Sequence, residues 1–189
     1  MIKLFIADTA GLDLAAALEN VSSARREKAL RLMDEDARRR CLGAGLLLKA
    51  VCGRDDYAIG QNGKPYFEDG QVHFSLAHCK NHVLCAVSDA PVGADIELPR
   101  SGSVRLAERF FAPDELHAVS VSPAPDAEFC RLWTMKESYI KLRDLRLADM
   151  AGFSVIDSAV HFRSLRYGEH FIACCSDNPC DVQLIEKNL

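Results

Sequence analysis

The sequence predicts an α+β fold of two similar lobes related by a pseudo-twofold, each a small antiparallel sheet packed with helices. Helical periodicity followed by extended runs occurs twice, once in each half of the 189-residue chain. The change from one half to the next falls near residues 99–104, which sets the lobes at 1–98 and 99–189. A composition that is 49% hydrophobic and 26% charged is ordinary for a globular chain and excludes disorder, collagen and coiled coil.

Taken in order, Ile2–Ala7 reads as a first strand, because the charge at Lys3 and the acid at Asp8 interrupt any leader-like apolar run. A helix is predicted from Ser22 or Ser23, either of which can cap it. A second starts at Asp34, carries Leu42, Leu46, Leu47 and Ala50 at helical spacing and stops at Gly53. Gln61-Asn-Gly-Lys-Pro65 is a turn by composition. Strands follow at Val72–Ala77, Val83–Val87 and Val92–Leu98, with the last two spaced for an antiparallel hairpin. The second half reads as a short helix after Pro113, a longer one over Asp126–Arg143, and strands near Phe153–Ile156, Val160–Leu165, Phe171–Cys175 and Val182–Ile185. No stretch approaches the length of a membrane span, so a soluble, cytoplasmic protein is expected.

Eight cysteines stand without a single C-x-x-C pair, and several lie in apolar runs, so reduced, buried thiols are expected over a zinc or disulfide framework. The net charge of −4 hides an asymmetry: between Val21 and Arg54 nine Lys or Arg face four acids. A local basic cluster on an acidic chain suits a small anionic ligand better than a nucleic acid, and a solvated helix face accounts for it equally simply.

Three segments carry candidate chemistry. In Gly93-Ala-Asp-Ile-Glu97, Asp95 and Glu97 project to one face of a strand, where their repulsion suits either a hard divalent cation or a charged, solvent-facing edge. In Phe129–Lys141, Phe129, Trp133 and Ile140 share a helix face. Lys136 falls close to it, and Glu137 and Lys141 lie four apart along its border, as a simple ion pair or as part of a site begun by Asp95. In Val72–Cys79, His78 ends a strand where it can donate to a phosphate or lie plainly on the surface. His73 and His78 differ in strand parity, which argues against His73, His78 and His82 as zinc ligands.

Together these segments resemble the 4′-phosphopantetheinyl transferase superfamily, in its monomeric two-lobed type that activates peptide synthetases. The matching stretches are Arg38-Arg-Arg-Cys-Leu-Gly43, Gly63-Lys-Pro65, Phe74-Ser-Leu-Ala-His78, Val92-Gly-Ala-Asp-Ile-Glu97, Arg109-Phe-Phe-Ala-Pro-Asp-Glu115 and Trp133-Thr-Met-Lys-Glu-Ser-Tyr-Ile-Lys141. The G-x-D-I-E and W-x-x-K-E-x-x-x-K motifs in this order are the specific part.

The resemblance implies transfer of 4′-phosphopantetheine from coenzyme A to a serine of an apo acyl or peptidyl carrier protein, with Mg²⁺ and release of 3′,5′-ADP. It implies that the first lobe binds the phosphates and adenine, and that the second completes the metal site and meets the carrier. It further implies Asp95, Glu97 and Glu137 as metal ligands, and Lys141 and His78 at the pyrophosphate. Lys64 and Pro65 would line the adenine and ribose, and Arg25, Lys28 and Arg40 would reach the 3′-phosphate. Glu115 would be the general base. A monomer with no nucleic-acid or membrane partner is implied as well. The chain departs from the family pattern at Ser75, Ala77 and Cys79, and at Leu142-Arg-Asp-Leu-Arg-Leu, which replaces a glycine-rich turn. Ala77 retains only its backbone N–H for a phosphate. The alternatives are a metal-dependent nucleotide pyrophosphatase and a non-catalytic coenzyme A binding module.

Overall fold

The computed structural model describes residues 1–189. In chain order the elements are β1 (Ile2–Asp8), α1 (Leu14–Asn20), α2 (Ser23–Leu30), α3 (Glu35–Cys52), β2 (Ala58–Ile59), β3 (Pro65–Tyr66), β4 (His73–Cys79), β5 (His82–Ser88) and β6 (Gly93–Glu97). Then come α4 (Val104–Phe110), α5 (Pro113–Val121), α6 (Pro125–Arg143), a 3₁₀ turn at Leu147–Gly152, β7 (His161–Tyr167), β8 (His170–Ser176) and β9 (Val182–Glu186).

Local chemistry fixes the helix ends. Ser22 Oγ accepts from the Arg25 N–H and Asp34 Oδ2 from the Ala37 N–H, capping α2 and α3 as the sequence predicts. Gly53, at φ 78°, ends α3 in the left-handed region that glycine tolerates. Two short helices that sequence patterning did not single out, α1 and α4, are present. The first is capped by Asp13, whose Oδ1 accepts from Ala15 and Ala16.

Two sheets form the centre. One has the order β4-β5-β1-β9 and the other β6-β8-β7. Ile2, Leu4 and Ile6 of β1, Leu84 and Ala86 of β5, Ala94 and Ile96 of β6, and Ile172 and Cys174 of β8 make one buried cluster between them. The opposite face of the first sheet packs on α3 through Ala44, Leu47, Leu48, Phe74 and Val83. The opposite face of the second packs on α4, α5 and α6 through Ala107, Val119, Phe129, Leu132, Met135 and Ala173. The result is a helix–sheet–sheet–helix sandwich.

Four expectations change. β5 and β6 do not form a hairpin: β5 pairs with β4 and β1, whereas β6 pairs with β8. The Ser88–Pro91 turn carries the chain from one sheet to the other. β6, assigned by sequence to the first lobe, therefore belongs to the second sheet, and β9 returns to the first, so position 98 does not separate the sheets. The first sheet is not wholly antiparallel, because β9 runs parallel to β1. Phe153–Ile156 is not a strand: Phe153 and Val155 are instead drawn onto the α5–α6 core, and Val155 N–H donates to Glu115.

β6 is held closely from both sides. Ser75 Oγ accepts from Ala94 N–H at 3.0 Å and stitches β4 to β6. On the other face, a methyl group at Gly93 would run into the Ser138 carbonyl oxygen and the Leu142 nitrogen of α6. Only glycine lets the strand approach the helix so closely, and this contact brings the acids of β6 beside those of α6.

Candidate active site

The acids of β6 and α6 meet where the two elements touch. Asp95 is 5% exposed; its Oδ1 accepts from Lys141 Nζ at 2.7 Å, while its Oδ2 is buried without any partner. Burial raises its pKa, against the pull of Lys141. Glu97 is half-buried, with one oxygen 3.5 Å from the Cys79 thiol, which donates to it, and 3.7 Å from Arg100. Burial, then the charge of Asp95, push its pKa up. Glu137 is raised further, to about 7, by burial first and then by Asp95 and Glu97, with Lys141 opposing. The three acids lie close enough for their charges to be felt by one another, and Lys141 opposes the effect at Asp95 and Glu137.

As the side chains stand, no three His, Cys, Asp or Glu groups converge into a ready ligand set. The chemistry of the donors nevertheless fits a hard cation. They are carboxylate oxygens, one of them buried and unpartnered, and their mutual repulsion is what a divalent ion offsets.

Two adjoining clefts lead away from the acids. The first, about 250 Å³, is lined by Lys64, Glu137 and Lys141 together with the turn at Asn62–Pro65. The second, about 340 Å³, is lined by Arg25, Lys28, Arg40, Tyr57, Ala77 and His78. Gly63, Pro65 and Leu76 border both, so the two clefts adjoin. Arg25 is 5% exposed and lies over the Tyr57 ring; its Nε and Nη2 are buried without acceptors, an arrangement that calls for an anion. Arg40 donates to the Lys80 carbonyl and approaches Asp34, and Lys28 is exposed at the rim. Burial, with Lys141 and Arg40, lowers the pKa of His78 and favours its neutral form.

Of the residues singled out by sequence, Arg25, Lys28, Arg40, Pro65, Ala77 and His78 line the basic cleft, Lys64, Glu137 and Lys141 line its neighbour, Asp95 is bonded to Lys141, and Glu97 faces a separate cleft beside Arg100 and Trp133. Lys64 borders the acidic cleft, but its ammonium donates to the Val92 and Leu142 carbonyls, so it supports the cleft wall. Glu115 is a correction. It is fully buried, with its oxygens taken by Lys136 Nζ, Ala112 N–H and Val155 N–H, and it lines neither cleft. A carboxylate closed in this way cannot reach a substrate hydroxyl.

Ser75, Cys79 and Asp144, which the sequence marks only as lying where the chain departs from the family pattern, make structural contacts to Ala94, Glu97 and Asn62. Asp144 alone offered a signal, since an acid at a helix C-terminus opposes the helix dipole.

Comparison with known proteins bears on the family of the chain. The family model described as "4′-phosphopantetheinyl transferase superfamily" matches residues 91–182, which include β6 and α6. A 4′-phosphopantetheinyl transferase of Bacillus subtilis is 36% identical over 133 residues, covering 64% of this chain and 59% of the relative. The enzyme psf-1 of Bacillus pumilus is 35% identical over 161 residues, 78% of this chain and 66% of the relative. AcpT of Salmonella typhi is 31% identical over 157 residues, 78% of this chain and 81% of the relative. The chain therefore spans 59% and 66% of the length of these two Bacillus relatives.

Proposed function

Because the chain belongs to the 4′-phosphopantetheinyl transferase superfamily, we propose that it moves phosphopantetheine from coenzyme A to a serine hydroxyl of an apo acyl or peptidyl carrier protein. The observation that carries this reading is that the two clefts adjoin across Gly63, Pro65 and Leu76. A buried arginine with free N–H groups lies in one, and Glu137 lines the other beside Lys141, which in turn bonds Asp95. A ligand with a terminal phosphate and an internal pyrophosphate matches both.

In this reading Arg25, Lys28 and Arg40 hold the 3′-phosphate, Pro65 and Ala77 wall the nucleotide, and His78 donates to a phosphate oxygen. Asp95, Glu97 and Glu137 hold Mg²⁺, which supplies charge neutralisation at the pyrophosphate. Lys141 adds a fixed positive charge beside the leaving 3′,5′-ADP. The serine Oγ forms a bond to the β-phosphorus as the bond to the ADP oxygen breaks, and the serine proton leaves to a base. With Glu115 sealed, Glu137 takes that role. It is the acid of the three that lines the cleft, and one carboxylate oxygen can hold the metal while the other accepts the proton. No covalent enzyme intermediate is required, because positioning and charge stabilisation suffice.

The test is mass spectrometry of apo carrier proteins incubated with the chain, coenzyme A and Mg²⁺. Gain of one phosphopantetheine on the carrier serine is expected. Release of 3′,5′-ADP from coenzyme A without carrier, and no modified carrier, would replace this reading with pyrophosphate hydrolysis.

A further inference from the structure

Asp144 follows α6 directly, in a conformation that the backbone alone does not favour. Its φ is 50°, left-handed for a non-glycine residue, and its carboxylate lies at the negative end of the α6 dipole. Both costs are offset by contacts on a distant segment. Asp144 Oδ2 accepts from Asn62 N–H at 3.2 Å, Oδ1 accepts from Lys64 N–H at 3.1 Å, and the Asp144 carbonyl accepts from Asn62 Nδ2 at 2.6 Å. The segment so held is the tight turn in which Gly60 N–H donates to the Lys64 carbonyl at 2.7 Å. A methyl at Gly60 would come to 2.5 Å from Asp144 Oδ2, so the turn is shaped to admit this carboxylate. Lys64 Nζ adds bonds to the Leu142 and Val92 carbonyls on the same side.

The position of this joint matters. The turn at 60–65 supplies Gly63 and Pro65 to both clefts, while α6 carries Glu137 and Lys141. Without the carboxylate, no backbone N–H of the turn is bonded to α6; what remains is the two-pair hairpin β2–β3 and the flexible side-chain bonds of Asn62 and Lys64 to backbone carbonyls. We infer that Asp144 is a positioning residue for the donor-binding cleft: by gripping the backbone of Asn62 and Lys64 it fixes the turn against α6, and so sets affinity for the nucleotide end of coenzyme A. This rests on coenzyme A being the ligand, as proposed above. Asp144 touches no reacting atom. α6 itself is kept in place by its own ladder and by its packing on Gly93, so the effect falls on binding more than on turnover.

The informative variant is Asp144→Gly, because glycine accepts the positive φ and leaves the helix end unstrained. Coenzyme A binding by calorimetry should weaken about tenfold, with KM rising in parallel and kcat changing much less, since a carboxylate bonded to backbone N–H groups is lost. The melting temperature should not fall. Asp144→Asn, which keeps one acceptor oxygen, should lie between wild type and Asp144→Gly. Wild-type affinity and KM in Asp144→Gly would overturn the inference, as would a parallel loss of kcat and melting temperature with KM unchanged. If wild type itself fails to bind coenzyme A, the functional reading falls. The joint is then still tested by hydrogen exchange in the ligand-free protein. The Asn62 and Lys64 amides should exchange faster in Asp144→Gly, and unchanged exchange overturns the assignment.

Discussion

Lys136 Nζ lies 2.6 Å from Glu115 Oε2, and both side chains are entirely buried. The lysine also donates to the Phe153 carbonyl and sits over the Phe153 ring. Burial lowers its pKa, against the pull of Glu115. Glu115 in turn caps α5 by accepting from Ala112 and ties in the 153–155 segment through Val155. The pair is thus the polar joint of the helical layer behind the second sheet.

Removing one partner should be costly in stability. Lys136→Met or Glu115→Gln strands a buried charge, a loss of about 3–5 kcal/mol by comparison with other buried pairs. The double change Glu115→Gln with Lys136→Met should recover part of that loss. Urea denaturation of the three variants measures this. Under conditions where Glu115→Gln remains folded, its turnover should stay within a few-fold of wild type, since the carboxylate does not reach the cleft. A folded variant without transfer activity would restore the base role to Glu115.

Asp95 should be indispensable in a different manner. Its replacement by Ala removes the buried, unpartnered oxygen and the partner of Lys141, so transfer should be abolished while the fold is kept. Relief of buried charge should leave the metal-free melting temperature unchanged or higher. Chelation should stop the wild-type reaction, and Mg²⁺ or Mn²⁺ should restore it. Circular dichroism with carrier modification by mass spectrometry checks both; a folded Asp95→Ala protein with near-normal turnover contradicts the metal site.

Glu137 gives the chain a specific pH dependence. Its pKa rises from the ordinary 4.5 to about 7 on folding, chiefly by burial. Between these values the native state holds a proton that the unfolded state has lost, so stability of the metal-free protein falls as pH rises through this window. Glu137→Gln should flatten that slope and stabilise the metal-free protein at pH 8 (which neutral Gln tolerates in the same pocket). Melting temperatures from pH 5 to 8 supply the measurement. An identical slope in the variant would remove Glu137 as its source.

Much of this site was legible in the sequence because its parts sit on regular elements. Strand periodicity placed Asp95 beside Glu97, and helical periodicity placed Glu137 beside Lys141 at the border of an apolar face. What periodicity does not report is partner choice. β6 is apolar at Val92, Ala94 and Ile96 whichever sheet receives it, so adjacency to β5 suggested a hairpin, whereas its pairing is with β8 some 80 residues later. The burial of Glu115 was hidden likewise. Lys136 was visible near the core stripe, yet nothing local showed that its counter-ion lay on α5, 21 residues away. Asp144 depends on a positive φ and on a turn 80 residues earlier, and neither leaves a local pattern.

The basic cleft separates a ligand site from ordinary surface charge most cleanly. Arg25 is buried with Nε and Nη2 unsatisfied, so it bears a desolvation cost that an anion would offset. Lys28, by contrast, is exposed. If both reach the 3′-phosphate, Arg25→Ala should weaken coenzyme A binding by about ten- to a hundredfold and Lys28→Ala by less, because a buried contact is screened less than an exposed one. Neither change should matter much for 3′-dephospho-coenzyme A, which lacks the phosphate they hold. Arg25→Lys should recover only part of the loss, since an ammonium cannot reproduce the paired N–H groups of the guanidinium. Removing Arg25 could also disturb the packing around Gly45 and Tyr57, but that would weaken both ligands together. The ratio of the two affinities therefore isolates the phosphate contact from the fold. Titration of each variant with each ligand gives that ratio directly, and equal losses for the two ligands would remove this cluster from the donor site while leaving the acids of β6 and α6 in place.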